Sequence, residues 1–203
     1  MFLGIYNIAT MVTYLGLISS FFSMYFALNN RLDISLILFL LAGFFDLYDG
    51  VVARKFNKTE EENKFGIQID SIIDVINFGI TPIVIGVSIG MNTAIDIALF
   101  LAYIFAATMR LAYFNICALK KEDNKPLKHY TGLPVTYVSS ILPTVILIMI
   151  VFFNSNLLLL RLAFAALTIL YILKIKIPKP MGKWYYIFPI MGVIVITLIA
   201  IFI

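Results

Sequence analysis

The 203-residue sequence has little charge and almost no cysteine or histidine. Its single cysteine, Cys117, excludes a disulfide framework and a metal cluster built from thiolates. Only 13% of the residues are charged, about half the usual share in soluble domains, whereas 62% are hydrophobic. One core of this size cannot hide so much apolar surface from water, so the excess must face lipid. The composition excludes a soluble domain and predicts a polytopic membrane protein.

Seven apolar stretches are long enough for a membrane-spanning helix, which needs about 20 residues. They cover residues 6–28, 34–54, 65–90, 93–119, 133–153, 157–173 and 184–203. We therefore expect an all-α polytopic membrane protein, a bundle of about six core transmembrane helices with one further span. Residues 1–203 are expected to form a single transmembrane domain.

The basic residues predict the orientation of these spans. Twelve of the 15 Lys and Arg residues lie in three alternate connections, at residues 54–64, 120–128 and 174–183. By the positive-inside rule, these three connections lie in the cytoplasm. Residues spread in this way do not form the basic patch of a nucleic-acid-binding surface, in spite of a net charge of +4. The sequence thus predicts a multi-pass protein of the cell membrane with no nucleic-acid partner.

Four aspartates lie inside the apolar stretches, where each carboxylate costs about 2.5 kcal/mol or more to insert. Asp46 and Asp49 are three residues apart and Asp70 and Asp74 are four apart, so each pair lies on one helical face. The two helices are consecutive and antiparallel, which brings both pairs to the same depth below the cytoplasmic surface. Four clustered carboxylates require compensating cations, and all-oxygen ligation suits Mg²⁺, Mn²⁺ or Ca²⁺.

Two functional classes are compatible with buried carboxylates, a phosphoryl-transfer enzyme and a cation- or proton-coupled transporter. A transporter would need a polar path through the outer half of the membrane, where these spans hold only Asp96 and Arg161. The residues beside the aspartates favour the enzyme. Gly50 and Gly66 allow a nucleotide to approach the backbone closely, and Arg54 is suited to holding a phosphate.

The segment from Asp46 to Asp74 resembles the signature of the CDP-alcohol phosphatidyltransferase family. The family pattern is D-x2-D-G-x2-A-R followed, after a spacer, by G-x3-D-x3-D. All eight defining positions match: Asp46, Asp49, Gly50, Ala53, Arg54, Gly66, Asp70 and Asp74. The spacer, residues 55–65, is longer than is usual in the family, and its polar part, residues 60–63, is expected in a cytoplasmic loop.

The resemblance implies an enzyme that displaces CMP from a CDP-linked lipid with an alcohol, by a two-metal in-line displacement. It implies two divalent cations, Mg²⁺ or Mn²⁺, held by all four aspartates, with Asp74 also acting as general base. It further implies that Gly50, Ala53 and Gly66 line the nucleotide pocket and that Arg54 contacts the phosphates. A homodimer with its active site facing the cytoplasm is implied as well.

Three further segments, residues 70–79, 110–115 and 130–135, resemble the phosphatidylserine synthase branch of the family. This resemblance implies CDP-diacylglycerol and L-serine as substrates and phosphatidylserine and CMP as products. Glycerol 3-phosphate, inositol and inositol phosphate are the alternative acceptors. A phosphorylated acceptor would need a basic cluster in its pocket, for which Arg110 alone gives little support.

Arg110 is the one intramembrane cation on the cytoplasmic side and needs an anionic partner. It can pair with the aspartates, bind the carboxylate of the acceptor, or do neither. Asn77 and Asn115 are candidates for hydrogen bonds to the acceptor, although asparagines at such positions also bridge helices.

Overall fold

The computed structural model describes residues 4–5, 7–53, 59–119, 129–178 and 184–203. Their secondary structure consists of α1 (Ile8–Leu28), α2 (Leu32–Ala53), α3 (Glu60–Asp74), a π-helical turn (Val75–Ile80), α4 (Thr81–Ser88), α5 (Ala94–Leu119), β1 (His129–Thr131), a 3₁₀ turn (Val135–Tyr137), α6 (Val138–Phe152), α7 (Leu157–Ile172), β2 (Lys176–Pro178) and α8 (Trp184–Phe202). The π-helical turn joins α3 and α4 into one continuous span.

The helices occupy the positions of the seven predicted spans and confirm an all-helical polytopic membrane fold. Within the described residues, five segments are long and apolar enough to cross a membrane: Thr10–Leu28, Leu32–Val51, Glu60–Ser88, Ala94–Cys117 and Val135–Phe152. Two apolar helices are shorter, Leu157–Ile172 and Ile190–Phe202. Large apolar side chains remain exposed along α1, α5 and α7, as expected of helices that face lipid.

The third span begins earlier than its hydrophobicity predicts. Residues 60–63, expected in a loop, form the first turn of α3. Thr59 caps this turn by accepting a hydrogen bond from the backbone N–H of Glu62, and the Glu62 carboxylate accepts one from the N–H of Thr59. This reciprocal capping box satisfies two backbone donors that the start of a helix otherwise leaves unpaired. The polar segment is therefore the solvated start of the helix that carries Asp70.

The π-helical turn directly follows Asp74 and is stabilised by side-chain donors. The hydroxyl of Tyr103 on α5 donates to the carbonyl of Phe78 at 2.6 Å, and the Thr81 hydroxyl donates to the carbonyl of Ile76 at 3.0 Å. Turns of this kind are rare and are frequently found at functional sites. Here the turn lies within the third span and directly follows the pair formed by Asp70 and Asp74.

The buried core extends from α2 through α5, α6 and α7, and aromatic side chains occupy its centre. Phe164 on α7 makes edge-to-face contacts with Phe100 and Tyr103 of α5. Gly43 allows α6 to approach α2 closely, because a side chain at this position would overlap Ser139. This close approach brings the start of α6 beside the residues that follow Gly43 on α2.

Strands β1 and β2 form a short antiparallel ribbon in two connections that the basic residues assign to the cytoplasm. Tyr130 pairs with Ile177, and the N–H of Gly132 donates to the carbonyl of Ile175. The sequence gives no alternating pattern in these connections, so the ribbon was not expected. It ties the chain before α6 to the chain after α7.

At the opposite end of the bundle, Asp96 and Arg161 bind each other. Asp96 is fully buried and accepts from Arg161 Nε at 2.7 Å and Nη2 at 3.0 Å, and also from Thr93. These residues therefore connect α5 to α7. Their mutual bonding does not provide the outward polar path that a transporter would require.

Asp96→Asn is expected to lower the melting temperature by several degrees, because the bidentate charged contact with Arg161 is lost. Asp33→Asn is the matched control. Asp33 also pairs with an arginine, Arg31, but this pair is exposed and contributes little to stability. Melting of the purified protein in detergent tests this expectation, and equal effects of the two substitutions would contradict it.

Candidate active site

Three of the four intramembrane aspartates form a compact group of carboxylates. One carboxylate oxygen from each of Asp46, Asp49 and Asp70 lies within 4.8 Å of the other two. The carboxyl of Asp74 lies beside that of Asp46, and the carboxyl of Asp70 lies beside that of Asp49. The expectation that α2 and α3 present their acidic pairs to one another is therefore met.

Helix α1 supports both helices of the acidic group, since it packs against α2 along its length and also against α3. The hydroxyl of Thr13 on α1 donates to Asp49 Oδ2 at 3.0 Å. On the other side, the hydroxyl of Thr136, in the 3₁₀ turn before α6, donates to Asp46 Oδ2 at 2.7 Å. Neither threonine was predicted from the sequence.

Asp74 is held differently from the aspartates of α2. Its side chain is 8% exposed, and its Oδ1 is buried with no hydrogen-bond partner in the part of the chain that the structure describes. Asn77, one turn further along the chain, has a side chain that is 2% exposed. Its Oδ1 is likewise buried with no hydrogen-bond partner among the described residues. Buried oxygens are rarely left without a donor or a cation. Asp74, whose carboxyl lies beside that of Asp46, thus keeps an oxygen that can accept a hydrogen bond.

This arrangement fits a divalent cation. The group consists of carboxylates, which suit Mg²⁺, Mn²⁺ and Ca²⁺. Oxygens on opposite sides of one such ion lie about 4–5 Å apart, which is comparable with the spacing of the three carboxylates. The acidic group can therefore bind metal.

The remaining signature residues lie next to the acidic group along the chain. Gly50 directly follows Asp49 near the end of α2, and Gly66 lies one turn before Asp70 on α3; both are partly exposed. Ala53 is the last residue of α2. Arg54 lies outside the described residues, so its expected phosphate contact stays a prediction.

Arg110 lies on α5 against the chain that follows β1. It is 7% exposed and donates from Nε to the carbonyl of Leu133 at 3.2 Å and from Nη2 to the carbonyl of Gly132 at 3.3 Å. Gly132 adopts a positive φ of 81°, and a Cβ at this position would lie 3.2 Å from Arg110 Nε. Glycine is therefore needed here both for its conformation and for the approach of the guanidinium.

Arg110 also lines a cavity of about 200 Å³ together with Tyr113, Tyr171 and Lys174. The guanidinium lies over the ring of Phe114, 5.8 Å from its centre. From the sequence, Arg110 could pair with an aspartate, with the carboxylate of the acceptor, or with neither. The two backbone carbonyls were not among the expected partners.

The two candidate asparagines have different surroundings. Asn115 accepts a hydrogen bond from the hydroxyl of Ser71 at 2.7 Å and so links α5 to α3 between Asp70 and Asp74. Asn77 lies against α1, with its Nδ2 close to Gly16. Asn115 therefore bridges helices, whereas Asn77 presents an unpartnered oxygen one turn from Asp74.

Comparison with known proteins identifies related enzymes. A profile of the family described as CDP-alcohol phosphatidyltransferase matches residues 6–202. A CDP-diacylglycerol–serine O-phosphatidyltransferase of Bacillus subtilis is 32% identical over 147 residues, which are 71% of this chain and 75% of the relative. A protein of the same name from Saccharomyces cerevisiae is 33% identical over 101 residues, 48% of this chain and 36% of the relative.

An archaeal relative also matches. The archaetidylserine synthase of Methanothermobacter thermautotrophicus is 32% identical over 118 residues, which are 58% of this chain and 48% of the relative. The matched part therefore spans three quarters of the Bacillus protein but less than half of the yeast and archaeal proteins. With its helical membrane fold, its acidic group and a family match over residues 6–202, the chain is an enzyme that belongs to the CDP-alcohol phosphatidyltransferase family.

Proposed function

We propose that this enzyme transfers the phosphatidyl group of CDP-diacylglycerol to the hydroxyl of L-serine, forming phosphatidylserine and releasing CMP. The observation that carries the proposal is the group of carboxylates on α2 and α3, together with the buried Oδ1 of Asp74, whose carboxyl lies beside that of Asp46. Serine as acceptor is supported by the names of the bacterial and yeast relatives and by the archaetidylserine synthase. The names differ in the lipid and agree on serine.

The metal site is proposed to consist of Asp46, Asp49, Asp70 and Asp74, holding two Mg²⁺ or Mn²⁺ ions. Bound divalent ions would stabilise both the attacking and the leaving oxygen of an in-line displacement at phosphorus. Gly50, Ala53, Arg54 and Gly66 are proposed to contact the CDP portion of the lipid. Gly50 and Ala53 lie in the last turn of α2, and Gly66 lies one turn before Asp70 on α3.

Asp74 is the proposed general base. The serine oxygen forms a bond to the phosphorus of the phosphatidyl group, the bond between that phosphorus and the CMP oxygen breaks, and the hydroxyl proton passes to Asp74. Its Oδ1 suits this role because it accepts from no donor among the described residues, whereas Asp46 and Asp49 each accept from a threonine. A base must come within hydrogen-bond reach of the proton that it removes.

Arg110, Asn77 and Asn115 are the proposed contacts of the acceptor. Arg110 is a cation with five N–H donors, and it lines the cavity of about 200 Å³ in which an acceptor carboxylate is proposed to bind. The ammonium of serine needs acceptors, and Asn77 Oδ1 is a buried acceptor near Asp74. We further propose a single catalytic domain over residues 1–203 in a homodimer of the cell membrane, with its active site on the cytoplasmic side.

An acceptor screen tests the proposed function. The purified protein in detergent receives CDP-diacylglycerol, Mn²⁺ or Mg²⁺, and in separate reactions L-serine, glycerol 3-phosphate, inositol or inositol phosphate, while CMP release is recorded. We expect release with serine and only background release with the others. Release with inositol phosphate in the absence of release with serine would refute serine as the acceptor.

Arg110→Ala is expected to raise the KM for serine by about 10–100-fold, as for the loss of a charged hydrogen bond worth 1.5–3 kcal/mol. The KM for CDP-diacylglycerol should change much less, because the proposed lipid contacts are on α2 and α3. Steady-state kinetics with each substrate varied in turn measures the two values. Equal changes in the two KM values would indicate that Arg110 holds the backbone at Gly132 and Leu133 in place and does not contact serine.

A further inference from the structure

Two threonine hydroxyls donate to the acidic group from outside the helices that carry it. Thr13 lies on α1 and donates to Asp49, and Thr136 lies before α6 and donates to Asp46. Each hydroxyl is far from its partner along the chain, by 36 and 90 residues. Both aspartates of α2 are therefore held from neighbouring elements, one on each side.

These two contacts differ from those of other threonines in the helices. Four threonines donate to the carbonyl four residues earlier in their own helix: Thr108, Thr144, Thr168 and Thr197. That bond is the ordinary way for a threonine to satisfy its hydroxyl within an apolar helix. Thr13 and Thr136 each donate to a carboxylate on α2, outside their own helical segment. Their hydroxyls thus act on the site and not only on their own backbone.

A hydroxyl donor fixes how a carboxylate presents its remaining electron pairs. An ionised carboxylate has about four lone-pair positions. A hydrogen bond to Oδ2 occupies one of them and restrains rotation of the carboxylate, so the other positions keep a set direction. Residues that orient metal ligands in this way commonly change metal affinity by about 10–100-fold when they are removed.

The position of Thr136 is itself well fixed by its surroundings. The preceding residues Gly132 and Leu133 accept from Arg110, and the carbonyl of Val135 accepts from the hydroxyl of Tyr171 at 3.1 Å. Gly43 allows the start of α6 to lie close to α2. Elements α2, α5 and α7 therefore all contribute to the placement of this hydroxyl.

We propose that Thr136 and Thr13 are positioning residues of the metal site, which orient Asp46 and Asp49 for binding of divalent cations. The proposal rests on the metal-binding part of the proposed function and is independent of which alcohol is the acceptor. The two hydroxyls fix the ligands of α2, while Asp74 on α3 keeps a free oxygen for the proton of the acceptor.

The test compares Thr136→Val with Thr136→Ser and with Thr144→Val. Valine keeps the shape and removes the hydroxyl, serine keeps the hydroxyl, and Thr144 is a control in α6 that donates only to its own helix at 2.8 Å. Mn²⁺ binding is measured by electron paramagnetic resonance on the purified protein in detergent, with CDP-diacylglycerol present and no acceptor. We expect a Kd about 10-fold or more above wild type for Thr136→Val, and wild-type values for the other two.

Thr13→Val is expected to weaken Mn²⁺ binding in the same direction, and it keeps the proposal refutable if Thr136→Val does not fold. With the accepted alcohol, the Mn²⁺ concentration for half-maximal activity should rise while the KM of the alcohol stays constant. Wild-type Mn²⁺ affinity in a folded threonine-to-valine variant would overturn the proposal, as would failure of Thr136→Ser to retain binding. Failure of serine in the acceptor screen would leave the Mn²⁺ measurements unaffected, so the two failures are distinguishable.

Discussion

Replacing Asp74 with asparagine is expected to lower the kcat of CMP release by about 10²–10⁴-fold, the usual contribution of a general base. Asparagine has nearly the same shape as aspartate, so the packing of this buried side chain on α3 should be preserved. Its amide cannot take up the hydroxyl proton of the acceptor. The measurement is kcat at saturating CDP-diacylglycerol and serine, with thermal melting as a check on folding.

The loss of a base must be separated from the loss of a metal ligand in this variant, because Asp74 is proposed for both roles. The Asp74→Asn protein is therefore assayed at increasing Mn²⁺ until activity no longer rises. A kcat that stays low at saturating Mn²⁺ assigns the loss to proton transfer, whereas recovery to the wild-type kcat would remove Asp74 as the base. Asp33→Asn is the control and should have wild-type kcat, because Asp33 is a partly exposed residue at the far end of α2.

The acidic group was predictable because its geometry follows from local rules. The spacings within Asp46–Asp49 and Asp70–Asp74 place each pair on one helical face, and a short connection between consecutive spans makes the helices antiparallel. Both pairs therefore lie at a similar depth in the membrane, independently of how the other helices pack. The structure brings the carboxylates together, as these rules require.

The start of α3 was also encoded in the sequence but by a different signal. The hydrophobic run begins at Phe65, whereas Thr59 and Glu62 have the spacing of a capping box. Reading hydrophobicity alone placed the helix start a full turn too late. The signal of capping residues is the better guide here, because the first turn of a membrane helix can lie in water.

Thr13 and Thr136 illustrate what sequence could not provide. Threonine inside an apolar stretch normally bonds to its own helix, so nothing in the local pattern distinguishes these two from Thr144. Their partners are defined by the packing of α1 and α6 against α2, which depends on contacts between distant segments. The carbonyl partners of Arg110 depend likewise on the conformation of Gly132.

Asp49→Asn is expected to have opposite effects on stability and on activity. In the absence of metal, three carboxylates within 4.8 Å of one another repel, and removal of one charge should raise the melting temperature. Asparagine keeps an oxygen that can accept from Thr13, so the packing of α1 is retained. The same change removes a metal ligand and should abolish most CMP release. A site that is strained until its ligand binds commonly shows this opposition between stability and function.

The measurement is thermal melting of wild type and Asp49→Asn with EDTA and then with excess Mn²⁺. A ligand that binds only the folded state stabilises it by about 2.7 kcal/mol at 100 times its Kd, so Mn²⁺ should raise the wild-type melting temperature clearly. In Asp49→Asn the melting temperature with EDTA should exceed that of wild type, and the increment with Mn²⁺ should be small.

Asp33→Asn removes a carboxylate remote from the group and should keep the full increment in melting temperature. A lower melting temperature of Asp49→Asn with EDTA would mean that the carboxylates do not repel in the folded protein, and an unchanged Mn²⁺ increment would exclude Asp49 as a ligand.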